Sequence, residues 1–365
     1  MARYFYYFVT LSMLINAILF VPRILMDDRY DGAILSMVLG PLIGGVFMYL
    51  FTGSMLKFRG QGLPEIMKQS LPKAISVPLL LVMGSASFIS GALVLINYAF
   101  IVSRYLNTET PMYVLLILFV IVVSFGAMQS SKTVLYITEL TMILSLPLLL
   151  FSIFKAYTNQ NMNYDQVRAM IDYAWILPSW KSLSVSTYAV TGYISLSILN
   201  RVFTGSQSFK HRWSIPFLGL SILFTAFFVP IGILGTDGVN DYIFTWVSTA
   251  DGVRMKYAFI ERVVYIFLLI YLGISYLFAL ITWHVGSEML SGCLSKNQPN
   301  TSEVNSVLPH VISCTVFAIG TVIVGNMLGE DDLFSVSTNW MMIRSPLDIF
   351  VVLTVYFLSN RRKAL

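Results

Sequence analysis

Leu14 to Arg23 reads LINAILFVPR, an apolar run interrupted by an asparagine at position 16 and a proline at position 22. It lies within Tyr4 to Met26, the first of ten long apolar stretches that are almost free of charge. An uncharged apolar run of about 18 residues or more is long enough to cross roughly 30 Å of hydrocarbon. Lipid offers the backbone no hydrogen bonds, so only helices and closed barrels span it. The expected fold is an all-α integral membrane bundle. Pro22 carries no N–H and clashes with the turn before it, which frees carbonyls near Ile18 and Leu19 inside the membrane. Freed backbone groups near the midplane build substrate sites in many transporters, in pairs from corresponding helices of two inverted repeats. A plain proline kink near the outer end is the other reading of the same residues.

The remaining expected spans are Ala33 to Leu56, Ala74 to Val102, Pro111 to Met128, Val134 to Phe154, Leu183 to Val202, Ile215 to Leu234, Val263 to Leu290, Val307 to Met327 and Met341 to Leu358. The last has a clean apolar core of only about ten residues after Asp348, or about 15 Å of helix. It spans only if the turns around Arg344 are helical and Arg344 snorkels outward. The whole chain, residues 1–365, is expected to form a single membrane domain, because no polar stretch is long enough for a separate soluble unit.

Composition agrees with this reading. Hydrophobic residues make up 57% and charged ones 11%, far from the roughly 25% charge of soluble domains. A net charge of +5 is attributed to basic cytoplasmic loops, not to nucleic acid. The basic segments 57–73 and 209–213 and the tail Arg361, Arg362 and Lys363 place both termini in the cytoplasm. The outer loops near 157–181 and 236–256 hold Trp175, Trp180 and Trp246, expected in an interfacial belt. The N-terminal segment lacks a small-residue cleavage site and is read as a retained helix. Two cysteines and three histidines show no metal spacing, and no phosphate-binding loop is present. Asn300 with Ser302 matches a glycosylation pattern but falls on the cytoplasmic side. No enzyme activity and no cofactor are expected.

If the ten helices divide five plus five, the sixth corresponds to the first. Its sequence SVSTYAVTGYISLSILNR, Ser184 to Arg201, carries a small, hydroxylated stripe of Thr187, Thr191, Gly192 and Ser195. Such a stripe serves close helix packing or lines a cavity. Asn97 and Tyr98 in the third span, and Tyr271, Gly273, Ser275 and Tyr276 in the eighth, add polar groups at depth. A buried asparagine needs a partner, whether a helix, water or ligand. Glu139, the one carboxylate well inside an expected span, is a proton site or an ion pair with nearby Lys132. The second role, structural support near the inner face, is the one expected. Arg201, Glu288 and Asp348 read as ordinary charges at span ends.

At these residues the chain resembles the B subunit, or endospore germination permease, of nutrient germinant receptors, within the amino acid, polyamine and organocation transporter superfamily. The resemblance rests on the VPR turn that ends the first helix and on LKFRGQGLPEIMKQSLPK, Leu56 to Lys73. It continues through ETPMYVL from Glu109 to Leu115, TVLYITEL ending in Glu139 and Leu140, and IERVVYIFLLIY from Ile260 to Tyr271. It implies a ten-helix, LeuT-like fold of two inverted five-helix repeats with broken first and sixth helices. Repeat one then covers about 1–157 and repeat two about 182–365, joined by an outer loop at about 158–181. It further implies a small germinant, an amino acid or similar, bound between the first, third, sixth and eighth helices, and assembly with an A-type membrane subunit and a C-type lipoprotein in the spore inner membrane. Carried onto this chain, the ligand-binding set is Ile15, Asn16, Ala17, Asn97, Tyr98, Thr187, Tyr188, Thr191, Gly192, Tyr193 and Ser275. Of these, Asn16, Asn97, Thr191 and Gly192 are expected to converge. Two departures stand out. Ile15 and Ala17 occupy the places of a glycine-rich GxG, and Ile194 follows Gly192 and Tyr193 where an acidic residue is common. A stand-alone proton-coupled amino-acid or amine transporter is the alternative function.

Overall fold

The computed structural model describes residues 2–106, 108–203, 209–253, 262–294 and 307–361. Asn300, Arg362 and Lys363 lie outside the described residues. The described chain is helical throughout and contains no extended strand. Its first span is two helices, α1 (Ala2–Ile18) and α2 (Val21–Asp27), bent by 49° at Leu19 and Phe20. Pro22 falls in the first turn of α2, where its missing N–H costs nothing further to the new helix. Next come α3 (Ala33–Met55), a short α4 (Leu63–Ser70), α5 (Lys73–Tyr105), α6 (Met112–Ala127) and α7 (Ser131–Tyr157).

After a surface helix α8 (Tyr164–Ile171), the sixth apolar stretch is broken like the first. Helix α9 (Trp180–Tyr188) gives way at Ala189 and Val190 to a tight turn, Thr191–Ser195, then to α10 (Leu196–Leu199) and a last turn, Asn200–Val202. The bend is 55°. The chain continues through α11 (Ile215–Leu234), α12 (Thr245–Gly252), α13 (Val263–Leu294), α14 (Val307–Met327) and α15 (Glu330–Arg361). Among the described residues, seven unbroken helices are long and apolar enough to cross a membrane, and the two bent pairs raise the number to nine. Helix α6, with 16 residues, is apolar but just short of the usual length.

The outer faces of α6, α7 and α14 present Phe125, Leu140, Val316 and Met327 at 60–78% exposure. An apolar surface of that extent is incompatible with water and matches lipid. The protein is an integral membrane protein. Inside, α13 packs along α5, α3 against α9, and α1 against the Thr191–Ser195 turn. The α5–α13 seam is closed by bonds from the Tyr98 hydroxyl to the Leu268 carbonyl (3.1 Å), from the Tyr271 hydroxyl to Asn97 Oδ1 (3.2 Å) and from Trp283 Nε1 to the Phe88 carbonyl (3.1 Å).

Three expectations are corrected. Helix α15 begins at Glu330, well before Met341, and Arg344 does not snorkel. It is buried and bonds Asp348 at 2.6 Å one turn along the same helix. The two charges cancel, so the pair stays inside the protein. Trp246 is not at an interface, because it is buried with Nε1 bonded to the Ala226 carbonyl at 3.0 Å. Arg201 and Glu288 are not isolated span-end charges. Arg201 joins Glu65 of α4 at 2.7 Å and Glu288 of α13 at 2.5 Å, and His310 of α14 lies 3.6 Å from Glu288.

Arg201 thus ties the end of the broken sixth span to two other elements. Removing one member of a partly buried network leaves its carboxylates uncompensated, at a cost of about 3 kcal/mol. Arg201→Met should lower the melting temperature of the purified protein in detergent by several degrees, and Arg201→Lys by less. An unchanged melting curve for Arg201→Met would show that the network bears no load.

Candidate functional site

The break of the sixth span lies against α1 between Phe8 and Ser12, ahead of the bend of the first span at Leu19 and Phe20. Thr191 Oγ1 donates to the Tyr188 carbonyl at 2.7 Å, and the Val190 N–H to the Thr187 carbonyl at 3.1 Å. A β-hydroxyl placed here covers backbone that the bend would leave bare in lipid. Gly192 then brings the turn onto α1. A Cβ at position 192 would lie 2.3 Å from the Phe8 carbonyl oxygen and 2.8 Å from the Ser12 Cβ. The glycine therefore admits a neighbouring helix, where the sequence suggested that it admits a ligand.

A cavity of about 40 Å³ opens beside this contact. It is lined by Ser12 of α1, Ser87 and Ser90 of α5, Tyr188, Thr191, Gly192, Ile194 and Ser195 of the broken sixth span, Phe278, Thr282 and Val285 of α13, and Arg344 of α15. A smaller one of about 10 Å³ adjoins it across Tyr188 and Thr191, which line both. Its other walls are Phe47, Thr187, Tyr193, Ser345, Asp348 and Ile349. The larger has room for about three waters. Ser90 is a junction on its wall, where Oγ accepts from the Tyr188 hydroxyl at 3.1 Å and from Trp340 Nε1 at 3.3 Å.

Of the residues singled out in the sequence, Thr191 and Gly192 reach the larger cavity, Thr187 and Tyr193 the smaller, and Tyr188 and Thr191 both. Ile15, Asn16 and Ala17 are buried in α1 and line neither. The Asn16 amide donates back to the Ser12 carbonyl at 2.7 Å. Asn97 and Tyr98 belong to the α5–α13 seam, and Ser275 is buried in α13 away from both cavities. The expected convergence of four residues is thus met by Thr191 and Gly192 alone. Glu139 accepts from Arg3 Nη2 and the Tyr4 hydroxyl, both at 2.8 Å. Its ion-pair partner is therefore Arg3, which precedes it by far in sequence, and not Lys132.

Ser195 of the hydroxylated stripe also lines the larger cavity, Ser12, Ser87, Ser90 and Thr282 line it without having been singled out, and Arg344 and Asp348, read only as charges near a span end, line one cavity each. The serines and threonine carry no distinctive motif. Arg344 and Asp348 had a usable signal, opposite charges four residues apart inside an apolar helix.

A second set of contacts comes from the α2 end. Asp28, just past its end, meets Lys181 at 2.5 Å and accepts from the hydroxyls of Ser179 at 3.0 Å and Ser182 at 2.5 Å, at the start of α9. Arg23 donates to the carbonyls of Val239 at 3.0 Å and Asn240 at 3.1 Å. The α2 and α9 halves of the two broken spans are joined to each other, as α1 and the Thr191–Ser195 turn are at Gly192.

A family model described as spore germination protein matches residues 3–334. The chain belongs to the spore germination permease family. Among curated proteins, none matches it. The matched residues of this spore germination protein take in both breaks and both cavity-lining faces of α5 and α13, while Arg344 and Asp348 lie beyond them.

Gly192→Ala forces a methyl group against backbone, which cannot rotate away. Overpacking of this kind costs about 1 to 3 kcal/mol, seen as a lower melting temperature in detergent. Gly320→Ala, where a Cβ meets nothing within 4 Å, should leave it unchanged. Equal effects of the two would mean that the α1 contact does not constrain residue 192.

Proposed function

We propose that this chain is the membrane subunit of a nutrient germinant receptor. It binds a small germinant, an amino acid or similar, between the first, third, sixth and eighth spans, and it triggers germination together with an A-type membrane subunit and a C-type lipoprotein. The observation that carries this reading is the hydroxyl-lined cavity at the meeting point of two broken spans, in a member of the spore germination family. Counting α6 as a tenth span gives five plus five, with breaks in the first span of each half, which is the LeuT-like arrangement. The protein resides in the spore inner membrane with cytoplasmic termini. A ligand acts by favouring one arrangement of the two halves over another, and it shifts that equilibrium only by its difference in affinity for them.

The alternative is a stand-alone proton-coupled transporter. One observation favours it: a buried carboxylate, Asp348, lines the smaller cavity. Uptake of a nutrient into proteoliposomes containing this chain alone would decide for transport.

Deleting the gene in its spore-forming host and scoring germination on a nutrient panel tests the receptor reading. Loss of response to one nutrient class supports it, and normal germination on every nutrient overturns it. Within the site, Ser90→Ala removes a lining hydroxyl and releases Tyr188 and Trp340, and the loss of one hydrogen bond to the germinant, about 1 kcal/mol, is about 5-fold in affinity. Spores carrying it, at equal protein level, should need correspondingly more germinant. An unchanged dose curve would place the germinant elsewhere.

A further inference from the structure

Arg344 and Asp348 are 5% and 3% exposed and share one bond, Nε to Oδ1 at 2.6 Å. A guanidinium has five N–H donors and a carboxylate about four acceptor sites, so this bond leaves most of both unused. Nη1 of Arg344 and Oδ2 of Asp348 are buried and have no hydrogen-bond partner among the described residues. Each residue lines a cavity, Arg344 the larger and Asp348 the smaller. The cavities meet at Tyr188 and Thr191, which wall both.

The geometry points to a two-ended clamp for a small zwitterion, in which Arg344 takes a carboxylate in the larger cavity and Asp348 an ammonium in the smaller. This rests on the binding-site reading above and names the ligand class and two specificity residues for it. The net charge of the pair selects the ligand. Together the two side chains sum to zero, so a bare anion or cation would leave an uncompensated charge in a region that solvates it poorly. A zwitterion adds none, and its two ends meet the two unused atoms of opposite sign. A charge-assisted bond at each end is the strong kind. The hydroxyls of Ser12 and Thr282 on the larger cavity leave room for polar contacts beside the carboxylate, and the small volume favours a short side chain.

The test uses the full chain in lipid nanodiscs, with melting temperature and equilibrium binding measured for glycine, L-alanine and L-valine. Alaninamide, which lacks the carboxylate, and N-acetylalanine, which lacks the ammonium, are the matched probes. At least one amino acid should bind and raise the melting temperature, while neither derivative does. The double variant Arg344→Leu/Asp348→Leu, which leaves no lone buried charge, should melt cooperatively and bind that amino acid about 10- to 100-fold more weakly. Wild-type affinity in the double variant, equal binding of either derivative, or no amino acid binding to the wild type each overturns the clamp. The derivative arm needs no variant and stands if the double variant fails to fold. The receptor reading falls separately, only if deletion spores germinate normally on every nutrient.

Discussion

The structure turns on one requirement: two interrupted helices must pass through lipid without leaving backbone bare. At the sixth span this is met locally, by the Thr191 hydroxyl on the Tyr188 carbonyl, and by burial, with α1 laid directly on Gly192. The other side of the same span is held as tightly, since a Cβ on Gly40 of α3 would lie 2.5 Å from the Ser186 Cβ. The Ser36 and Ser186 hydroxyls lie 3.1 Å apart on that seam. The broken span is therefore wedged between α1 and α3 by residues without bulk. Small side chains bring backbones close in a membrane, where association depends on packing because lipid supplies no hydrophobic drive. The cavity is what remains where the wedge stops.

Much of this was legible because the cues were covalent or compositional. Pro22 cannot donate a hydrogen bond, which points to a break or a kink near Leu19, although Pro41, Pro78, Pro147, Pro230 and Pro346 all sit inside continuous helices. The break in the sixth span is expected only from the family resemblance, while the repeat hypothesis and the small residues at 191 and 192 point to a cavity wall or a packing face there. What escaped was pairing across space. Asn16 and Asn97 read as groups in want of a helix, water or ligand partner, and Asn16 bonds its own helix while Asn97 accepts from Tyr271 and leaves its buried Nδ2 without a partner among the described residues. A sequence shows that a buried amide needs a partner and not where the partner is.

The tenth span shows the same limit from the opposite side. Hydropathy penalises Arg344 and Asp348 separately and so shortens the expected span to Met341–Leu358, with a clean apolar core only after Asp348. One helical turn brings them together, and the pair is far less costly to bury than the sum of its members. Charge spacing within an apolar helix carries information that a residue-by-residue scale discards. Glu139 is the related case, because its partner Arg3 is remote in sequence while Lys132 is near only along the chain.

Both ends of the cavity are closed by polar contacts made by the broken spans themselves. Asp28 and Arg23 hold the α2 half of the first, and Arg201 and Asn200 hold the C-terminal end of the sixth. The Asn200 amide donates to the carbonyls of Phe58 at 2.7 Å and Gln61 at 2.9 Å. Opening either side means breaking these contacts, and converting a population fully from one state to the other takes about 5.5 kcal/mol of differential binding. A single hydrogen bond to a ligand supplies about 1 kcal/mol and a charge-assisted one about 1.5 to 3. A ligand held only by the cavity hydroxyls would need to engage nearly all of them to act as a switch. One that also engages the buried charges on α15 reaches that energy with two ionic contacts and a few neutral ones, which makes those charges the economical handle on the conformational equilibrium.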